Sequence, residues 1–403
     1  GLRYAPDHPF AVTMLLATYS GCQLIAAPLW GRLSDRIGRR PIVLISLTTS
    51  VLAYLWLSEA SALWMLFAAR ALQGISAGNI SVAQAYIADV TKPENRAKGM
   101  GLVGAAIGVG FTLGPAIGGW LAGSDPVHLA VAAPALAAAG MSALALLIAL
   151  VRLPESLPPD RRAAKRTSGR IALVLDAFSR PRLRPLLTLF FTTTFAFAGM
   201  ESTFGQWAYA RFDWGPSQVG AVLGTVGVLL IVIQGGLIGR LTARFGEARL
   251  LFAGTLMIAV GLAAMAASTV AAAGIAACCL LAMGQGLASP ATSALVSRAA
   301  GGSEQGGILG VNQSMGSAAR LLGPAVAGAA FELRGPGAPY VIGAAVMLIS
   351  AVLAWRVMND KRREAAVDRP PPNPPPQAGE GSFLPLPLAG EGRGGGASAP
   401  RPR

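Results

Sequence analysis

The most constraining feature of this sequence is a series of apolar segments, each long enough to cross a lipid bilayer. A helix needs roughly 20 residues to cross a hydrocarbon core of about 30 Å, and only a helix or a closed barrel satisfies its backbone polar groups there. The segments predict spans at 9–30, 41–58, 62–87, 99–123, 127–151, 185–208, 217–239, 249–268, 270–295, 306–331 and 337–357. The sequence therefore predicts an all-α membrane protein with eleven visible spans.

The composition agrees with a membrane protein and argues against an enzyme. Of the 403 residues, 53% are hydrophobic and 13% are charged, whereas soluble domains carry about 25% charged residues. The three cysteines show neither a disulfide nor a metal-ligand spacing. His8 and His128 form no catalytic constellation, and the sequence has no ATP-binding loop. We predict no enzyme activity, no metal and no cofactor, and a gradient as the energy source.

The net charge of +14 is explained by where Lys and Arg lie, without a nucleic-acid partner. They crowd every second joint between spans and the long joint 152–184. Because cytoplasmic loops carry the excess of Lys and Arg, we predict that these joints are cytoplasmic and that the protein lies in the plasma (inner) membrane. The segment 359–403 is rich in Pro and Gly and predicts a disordered cytoplasmic tail.

An internal repeat divides the chain. The segment G-R-L-S-D-R-I-G-R-R at Gly31 returns as G-R-L-T-A-R-F-G-E-A at Gly239, which is an offset of 208 residues. The segment G-P-A-I-G-G at Gly114 returns as G-P-A-V-A-G at Gly323, an offset of 209. Two motifs with nearly the same offset indicate two homologous halves. The predicted divisions are an N-terminal half at 1–152, a basic linker at 153–184, a six-span C-terminal half at 185–358 and the tail.

The repeat also predicts one further helix. The span that begins near Leu186 has no counterpart in the first half, because the offset places that counterpart before Gly1. Eleven spans with basic cytoplasmic joints would also leave Gly1 outside the cell. We therefore expect that a first helix is missing from this sequence. A genuine eleven-span protein is the alternative.

These features resemble the major facilitator superfamily, and within it the drug:proton antiporters that include tetracycline-efflux-like carriers. The resemblance covers roughly residues 1–357. It rests on the loop signature G-x-L-[AS]-D-R-x-G-R-R at 31–40, on A-Y-I-A-D-V-T at 85–91 and on G-x-x-x-G-P-x-x-G-G at 110–119. The resemblance implies a bundle of two pseudo-symmetric six-helix halves that exports a small amphipathic compound in exchange for protons, by alternating access. The tetracycline carriers have an acidic residue in the span that here begins at Gly254, which makes tetracycline itself a doubtful substrate.

The resemblance also implies a conformational latch in the signature loop. Asp35 and Arg39 are four residues apart, a spacing that places opposite charges on one helix face. In the family this pair joins an acid at the inner end of another span, here Asp89, and favours the outward-facing state. The predicted latch and loop residues are Asp35, Arg36, Arg39, Arg40, Asp89, Gly31 and Gly38. Plain topology charges and helix caps are the alternative.

A small-residue face is predicted on the helix that carries the antiporter-like segment. Such a face lets another backbone approach closely, and its proline allows a kink. The residues are Gly110, Gly114, Pro115, Gly118 and Gly119. Tight packing without a conformational role is the alternative.

Three ionisable residues lie within predicted spans, where charge is costly and therefore a functional candidate by default. Arg70 opens the segment R-A-L-Q-G, which resembles a family signature associated with proton coupling; a structural Arg is the alternative. Glu201 and Arg320 are expected at a similar depth, and Glu201 suits proton coupling if both face one cavity. Candidates to line that cavity, with interhelical contacts as the alternative, are Gln23, Asn79, Gln234, Gln285 and Asn312.

The predicted partners are the lipid bilayer, protons and a small-molecule substrate, and we expect a monomer. A transporter-like sensor or scaffold that moves no substrate is one alternative function. A facilitator or symporter of another small metabolite is a second. An ion channel ranks last, because the sequence has no repeated filter loop.

The charge pattern predicts the topology in a way that labelling tests directly. A cysteine placed at Ser168, in the basic linker, should react with a membrane-impermeant reagent only from the cytoplasm, because basic joints face inward. A cysteine placed at Ser124 should react only from outside. Opposite labelling of the two positions would contradict the predicted orientation.

Overall fold

A computed structural model describes residues 9–91, 96–125, 132–157, 170–300 and 305–367 of the chain. Within these ranges the chain forms helices and no strand. A π-helical segment, Val232–Leu237, joins α9 to α10. The helices are α1 (Pro9–Ile37), α2 (Arg39–Ser58), α3 (Leu63–Ala77), α4 (Ile80–Val90), α5 (Arg96–Ala122), α6 (Ala132–Arg152), α7 (Arg170–Ser179), α8 (Arg184–Phe212), α9 (Pro216–Ile231), α10 (Ile238–Phe245), α11 (Glu247–Ala267), α12 (Ala271–Ala299), α13 (Gln305–Arg334) and α14 (Ala338–Val367).

Seven helical stretches among the described residues are long and apolar enough to cross a membrane. The other predicted spans correspond to α5, α8, α13 and the pair α3 and α4. Polar positions lower the hydropathy of α8 and α13, which contain Glu201 and Arg320. The seven stretches are Pro9–Ile37, Arg39–Ser58, Ala132–Arg152, Pro216–Phe245, Glu247–Ala267, Ala271–Ala299 and Ala338–Asp360.

The prediction of one continuous span over 62–87 is wrong, because the helix breaks between α3 and α4. The break lies at Gly78 and Asn79. A side-chain carbon added at Gly78 would lie 2.8 Å from the backbone nitrogen of Ala27 in α1. Only glycine therefore allows α1 to pack directly against the break.

The break frees backbone carbonyls that α1 then satisfies. Trp30 donates its indole N–H to the carbonyl of Ile75 at 2.6 Å, and Gln23 donates its amide to the carbonyl of Ala77 at 3.3 Å. Irregular backbone at membrane depth requires such partners, because lipid offers none. Gln23, a predicted cavity residue, thus has a structural hydrogen bond in this conformation.

The repeat is visible in the backbone. Gly38, between α1 and α2, has φ 107° and ψ 161°, and Gly246, between α10 and α11, has φ 77° and ψ 155°. The two residues are 208 positions apart, which is the offset found in the sequence. Both φ values lie in the region that favours glycine. The two signature loops therefore make the same turn.

The helices fall into two groups on either side of residues 158–169: the N-terminal group α1–α6 and the C-terminal group α7–α14. Inside the C-terminal group, Trp207 and Tyr340 are fully buried, with ring centroids 5.5 Å apart. The groups pack together mainly through α1 with α13 and α5 with α9. The described residues up to Lys361 form one compact unit. The predicted division into two halves and a linker stays a prediction, and α7 lies within that linker.

Candidate functional site

A cavity of about 590 Å³ lies between the two helix groups. The N-terminal group contributes α5 to its wall, and the C-terminal group contributes α8, α9, the π-helical segment, α12 and α13. Its volume is in the range of drug-sized binding sites, which is about 300–1,000 Å³. The lining residues are Ile107, Gly108, Val109, Phe111, Thr112, Phe190, Thr194, Phe197, Ala198, Glu201, Leu230, Ile231, Gln234, Gly235, Gln285, Ser289 and Arg320.

Glu201 and Arg320 both line this cavity. The charge of each residue acts on the other. Among the described residues, neither side chain forms a hydrogen bond or an ion pair. The cavity wall therefore contains one acid and one base that do not pair with each other.

The expectation that Glu201 and Arg320 lie at a similar depth needs correction. A side-chain carbon added at Gly316 of α13 would lie 3.0 Å from the ring of Phe190 in α8. One added at Gly323 would lie 2.7 Å from the carbonyl oxygen of Phe195. Both contacts advance in the same direction along the chain, so α8 and α13 run parallel. Arg320 lies between these contacts, so Glu201 lies roughly two helical turns, about 10 Å, farther along the bundle. Counting residues from the start of each helix gave the wrong relative depth for the two side chains, because the two helices begin at different heights.

The rest of the cavity wall is aromatic and uncharged. The rings of Phe111 and Phe197, from different helix groups, lie 6.1 Å apart. Gln234 and Gln285 add amide groups. The side-chain oxygen of Gln285 is buried and accepts no hydrogen bond within the described part of the chain. In this conformation that oxygen is therefore not accessible to a ligand.

The other predicted cavity residues lie elsewhere. Asn79 donates to the hydroxyl of Ser46 at 2.6 Å, which joins α4 to α2. Asn312 is buried but does not line the cavity. Together with Gln23, these residues make or occupy contacts between helices.

Arg70 lies outside the cavity, within the N-terminal group. Its guanidinium donates to the side-chain oxygen of Gln73 at 3.0 Å. Tyr19 of α1 is an electrostatic neighbour of both Arg70 and Arg320. Tyr19 thus lies between the charge of α3 and the charge of the cavity.

The predicted small-residue face of α5 divides into two parts. A side-chain carbon at Gly110, Gly114 or Gly118 would meet nothing within 4 Å. One at Gly119 would lie 2.5 Å from the carbonyl oxygen of Pro216. In this conformation Gly119 provides the close contact with α9. Pro115 lies within α5, and its carbonyl faces the same contact.

The cavity is closed at one end of the bundle, which we call the neutral end because its joints carry few Lys and Arg. The backbone N–H of Phe10 donates to the carboxylate of Glu332 at 3.0 Å, and the Gln206 amide donates to the carbonyl of Pro9 at 3.2 Å. The backbone N–H of Ser217 donates to the carbonyl of Gly123 at 3.1 Å. At the opposite, basic end, the contacts of Arg39 and Arg40 lie within the N-terminal group.

The signature loop at the basic end brings together most of the predicted latch. Arg39 is 8% exposed. Its guanidinium lies 2.7 Å from Asp35 and 3.2 Å from Asp89, and it donates to the hydroxyl of Ser34 at 2.5 Å. Arg39 therefore joins the ends of α1, α2 and α4.

The remaining loop residues have different surroundings. Arg40 donates to the carbonyl of Leu150 at 3.0 Å, which ties α2 to α6. Arg36 is exposed, and Gly31 lies beside Ser81 of α4. The structure thus places Asp35, Arg39 and Asp89 in one cluster and leaves Arg36 outside it.

Comparison with known proteins establishes the family. A sequence profile described as Major Facilitator Superfamily matches residues 8–237 and 202–393. The chain belongs to this superfamily. It is therefore a multi-pass membrane transporter and not an enzyme, which confirms the predicted family and fold class.

Relatives within the superfamily include drug-resistance proteins. Tetracycline resistance protein, class C, from Escherichia coli is 34% identical, covering 83% of this chain and 84% of that protein. Multidrug resistance protein 2 from Bacillus subtilis is 28% identical, covering 87% of each. The crystal structure of the human organic anion transporter MFSD10 matches with a TM-score of 0.65 at 27% identity, covering 85% of this chain and 83% of that one.

The sequence did not point to Glu155, which contacts the signature loop beside Arg39. Its carboxylate accepts the backbone N–H groups of Arg39 at 2.8 Å and Arg40 at 3.2 Å. An acid at this position satisfies free N–H groups at the start of α2 and complements the helix dipole. The residue lies more than 110 positions away in the sequence, so no local pattern pointed to it.

A second missed feature is an ion pair in the C-terminal group. Arg298 lies 2.6 Å from Glu247, which joins the ends of α12 and α11. Glu247 follows Arg39 by 208 residues, and Arg298 follows Asp89 by 209. The second signature loop therefore keeps the ion pair of the first with the two charges exchanged. The repeat offset, applied to Arg39 and Asp89, is the signal that would have found it.

The latch makes a prediction about conformation. Asp35→Asn removes one partner of Arg39 and should reduce transport strongly while expression in the membrane stays near normal. Partly exposed ion pairs contribute only about 0–1 kcal/mol each to stability, whereas about 1.4 kcal/mol moves a two-state equilibrium tenfold. A cysteine at Ser289, in a chain whose own cysteines are replaced by alanine, should report the shift by its labelling rate.

Arg244 provides the matched control. It is exposed and stacks on its neighbour Phe245, with 5.5 Å between the guanidinium carbon and the ring centroid. Arg244→Gln should therefore affect transport much less. Equal defects in the two variants, or an unchanged reporter in Asp35→Asn, would mean that these loop charges serve topology alone.

Proposed function

We propose that this transporter is a proton-coupled antiporter that exports small amphipathic compounds by alternating access. The observation that carries the proposal is the carboxylate of Glu201, which lines the cavity between the two groups and has no hydrogen-bond or ion-pair partner in the described part of the chain. The proposed setting is the plasma membrane, with the basic end in the cytoplasm and the chain acting as a monomer. The Lys and Arg excess at that end supports this orientation.

Proton coupling follows from the chemistry of Glu201. A carboxylate in an apolar cavity is stabilised either by a proton or by a cationic group of a substrate. Since one carboxylate cannot hold both, loading of the substrate releases the proton. That competition is the requirement for exchange of a proton against a substrate.

Alternating access is supported by the distribution of contacts between the groups. Hydrogen bonds join the groups at the neutral end, whereas the ion pairs of Arg39 and Arg298 at the basic end each lie within one group. With the basic end in the cytoplasm, this is the inward-facing arrangement of an exporter ready to load. Relatives named for tetracycline and multidrug resistance support export of a foreign compound.

Two alternatives remain in view. A sensor or scaffold would use the same cavity for binding without transport. A facilitator or a symporter would move substrate without opposing proton movement. Both are separated from the proposal by measuring proton release and substrate flux together in vesicles that contain only this protein.

The proposal predicts a specific defect in Glu201→Gln. In vesicles with an imposed pH gradient, concentrative transport of an amphipathic dye should fall at least about tenfold, because glutamine binds no proton. Exchange of labelled for unlabelled dye without a gradient should persist, since the cavity still opens to each side. Dye transport is followed by fluorescence and proton movement by a pH-sensitive dye.

Glu59→Gln is the control for this experiment, since Glu59 is exposed in the joint after α2 and lies outside the cavity. It should leave concentrative transport unchanged. Gradient-driven transport that survives in Glu201→Gln would contradict proton coupling through Glu201. A wild-type protein that releases no protons when any dye of the panel is added would favour the alternatives.

A further inference from the structure

We infer that the cavity binds a zwitterion, an aromatic compound whose cationic group lies at Glu201 and whose anionic group lies at Arg320. This inference rests on the proposed function and adds the chemical class of the substrate. It starts from the observation that two opposite charges line one cavity, and that neither has a hydrogen-bond or ion-pair partner among the described residues.

Charge at membrane depth is unfavourable, and an acid and a base there normally lower that cost by pairing. Glu201 is half-buried, and Arg320 is exposed at the cavity wall. Here they do not pair, because Arg320 and Glu201 lie roughly two helical turns apart along parallel helices. A simple cation would compensate Glu201 and be repelled by Arg320, and a simple anion would do the reverse. A ligand that carries both charges compensates both residues.

The shape of the cavity suits an aromatic frame between the two charges. Phe111 and Phe197 form part of the wall, from opposite helix groups. Cationic groups are also attracted to the faces of aromatic rings.

The neighbouring titratable groups do not supply a competing charge. Arg320 is the charged group that acts on Glu201. Arg320 is in turn influenced by Glu201 and by Tyr19 of α1. On the helices that pack near Glu201, Tyr340 of α14 and Cys278 of α12 interact with each other and are neutral side chains. The residues contributed to the cavity by α5, α9, the π-helical segment and α12 are not ionisable.

Two rhodamine probes test the inference by equilibrium binding, without any gradient. Rhodamine B is an aromatic zwitterion, and its ethyl ester keeps the cation and lacks the anion. Fluorescence anisotropy with the purified full chain in lipid nanodiscs, corrected with empty nanodiscs, should show about tenfold tighter binding of rhodamine B, the factor expected for one charge-assisted hydrogen bond.

Variants of Arg320 and Glu201 test which charge of the probe each residue binds. Arg320→Gln should remove the preference for rhodamine B, and Arg320→Lys should keep it, which separates loss of charge from misfolding. Lowering the pH should weaken rhodamine B binding to the wild type, because a proton displaces the cation at Glu201, and Glu201→Gln should remove that dependence.

Equal affinity of the wild type for the two probes would overturn the inference. A preference that survives in Arg320→Gln, or no binding of rhodamine B at all, would also overturn it. Proton release on addition of other dyes is measured separately. The transport proposal can therefore hold even if the preference for a zwitterionic substrate is contradicted.

A second inference comes from the exchanged ion pairs at the basic end. We propose that Asp89 and Arg298 pair with each other when this end closes. In a pseudo-twofold bundle, equivalent residues face one another across the axis, so closure shortens the distance between them. Equivalent residues of equal charge would then repel, whereas Asp89 and Arg298 attract. The Arg298 side chain is 71% exposed and therefore available to a new partner.

Exchanging the two charges within the C-terminal group tests this second inference. The double variant Glu247→Arg with Arg298→Glu keeps their own ion pair but presents a carboxylate to Asp89. Transport should fall roughly threefold to tenfold, as expected when a partly exposed attraction becomes a repulsion. The cysteine reporter at Ser289 should shift toward the conformation that is open at the basic end.

The control is Arg244→Gln, which changes a charge in the same loop without touching the pair. Normal transport by the double variant would overturn the inference. A transport defect without a shift of the reporter would overturn it as well, because the contact would then have no part in the conformational equilibrium.

Discussion

Every backbone polar group inside the bilayer has to find its partner within the protein, because hydrocarbon offers no hydrogen bond. The long helices meet this requirement along their own length. Where the chain departs from it, at Gly78 and Asn79, α1 supplies the missing donors through Trp30 and Gln23. The same constraint explains why the break is permitted only at a position where a glycine brings α1 close to α3 and α4.

The bilayer also makes each charge inside the bundle costly. At the helix ends, charged side chains pair with one another, as Arg39 does in its contacts with Asp35 and Asp89. Glu201 and Arg320 differ, because they line a cavity and form no contact with each other or with another described residue. A protein that keeps two opposite charges apart in an apolar site leaves their stabilisation to a ligand or a proton.

The internal repeat shows which features of the two halves were retained. The turns at Gly38 and Gly246 are alike, and each signature loop is tied to the end of a neighbouring helix by one ion pair. The sign of the charges was exchanged between Arg39 with Asp89 and Glu247 with Arg298. An ion pair forms with either arrangement of the two charges, so the exchange preserves the ion pair within each half. It changes the electrostatic interaction between the two halves.

The sequence by itself determined the all-α membrane architecture, the repeat and the presence of Glu201 and Arg320 within helices, because hydropathy and the cost of burying charge depend on segment composition alone. Only the tertiary structure decided which polar residues share the cavity. Gln234 and Gln285 line it, whereas Gln23, Asn79 and Asn312 do not. The pairing of Glu155 with α2, the contact of Gly119 with α9 and the separation of Glu201 from Arg320 were likewise decided there. These contacts depend on the rotation and relative height of helices that are distant in the chain, and a difference of one helical turn leaves the hydrophobic pattern unchanged while it replaces every partner.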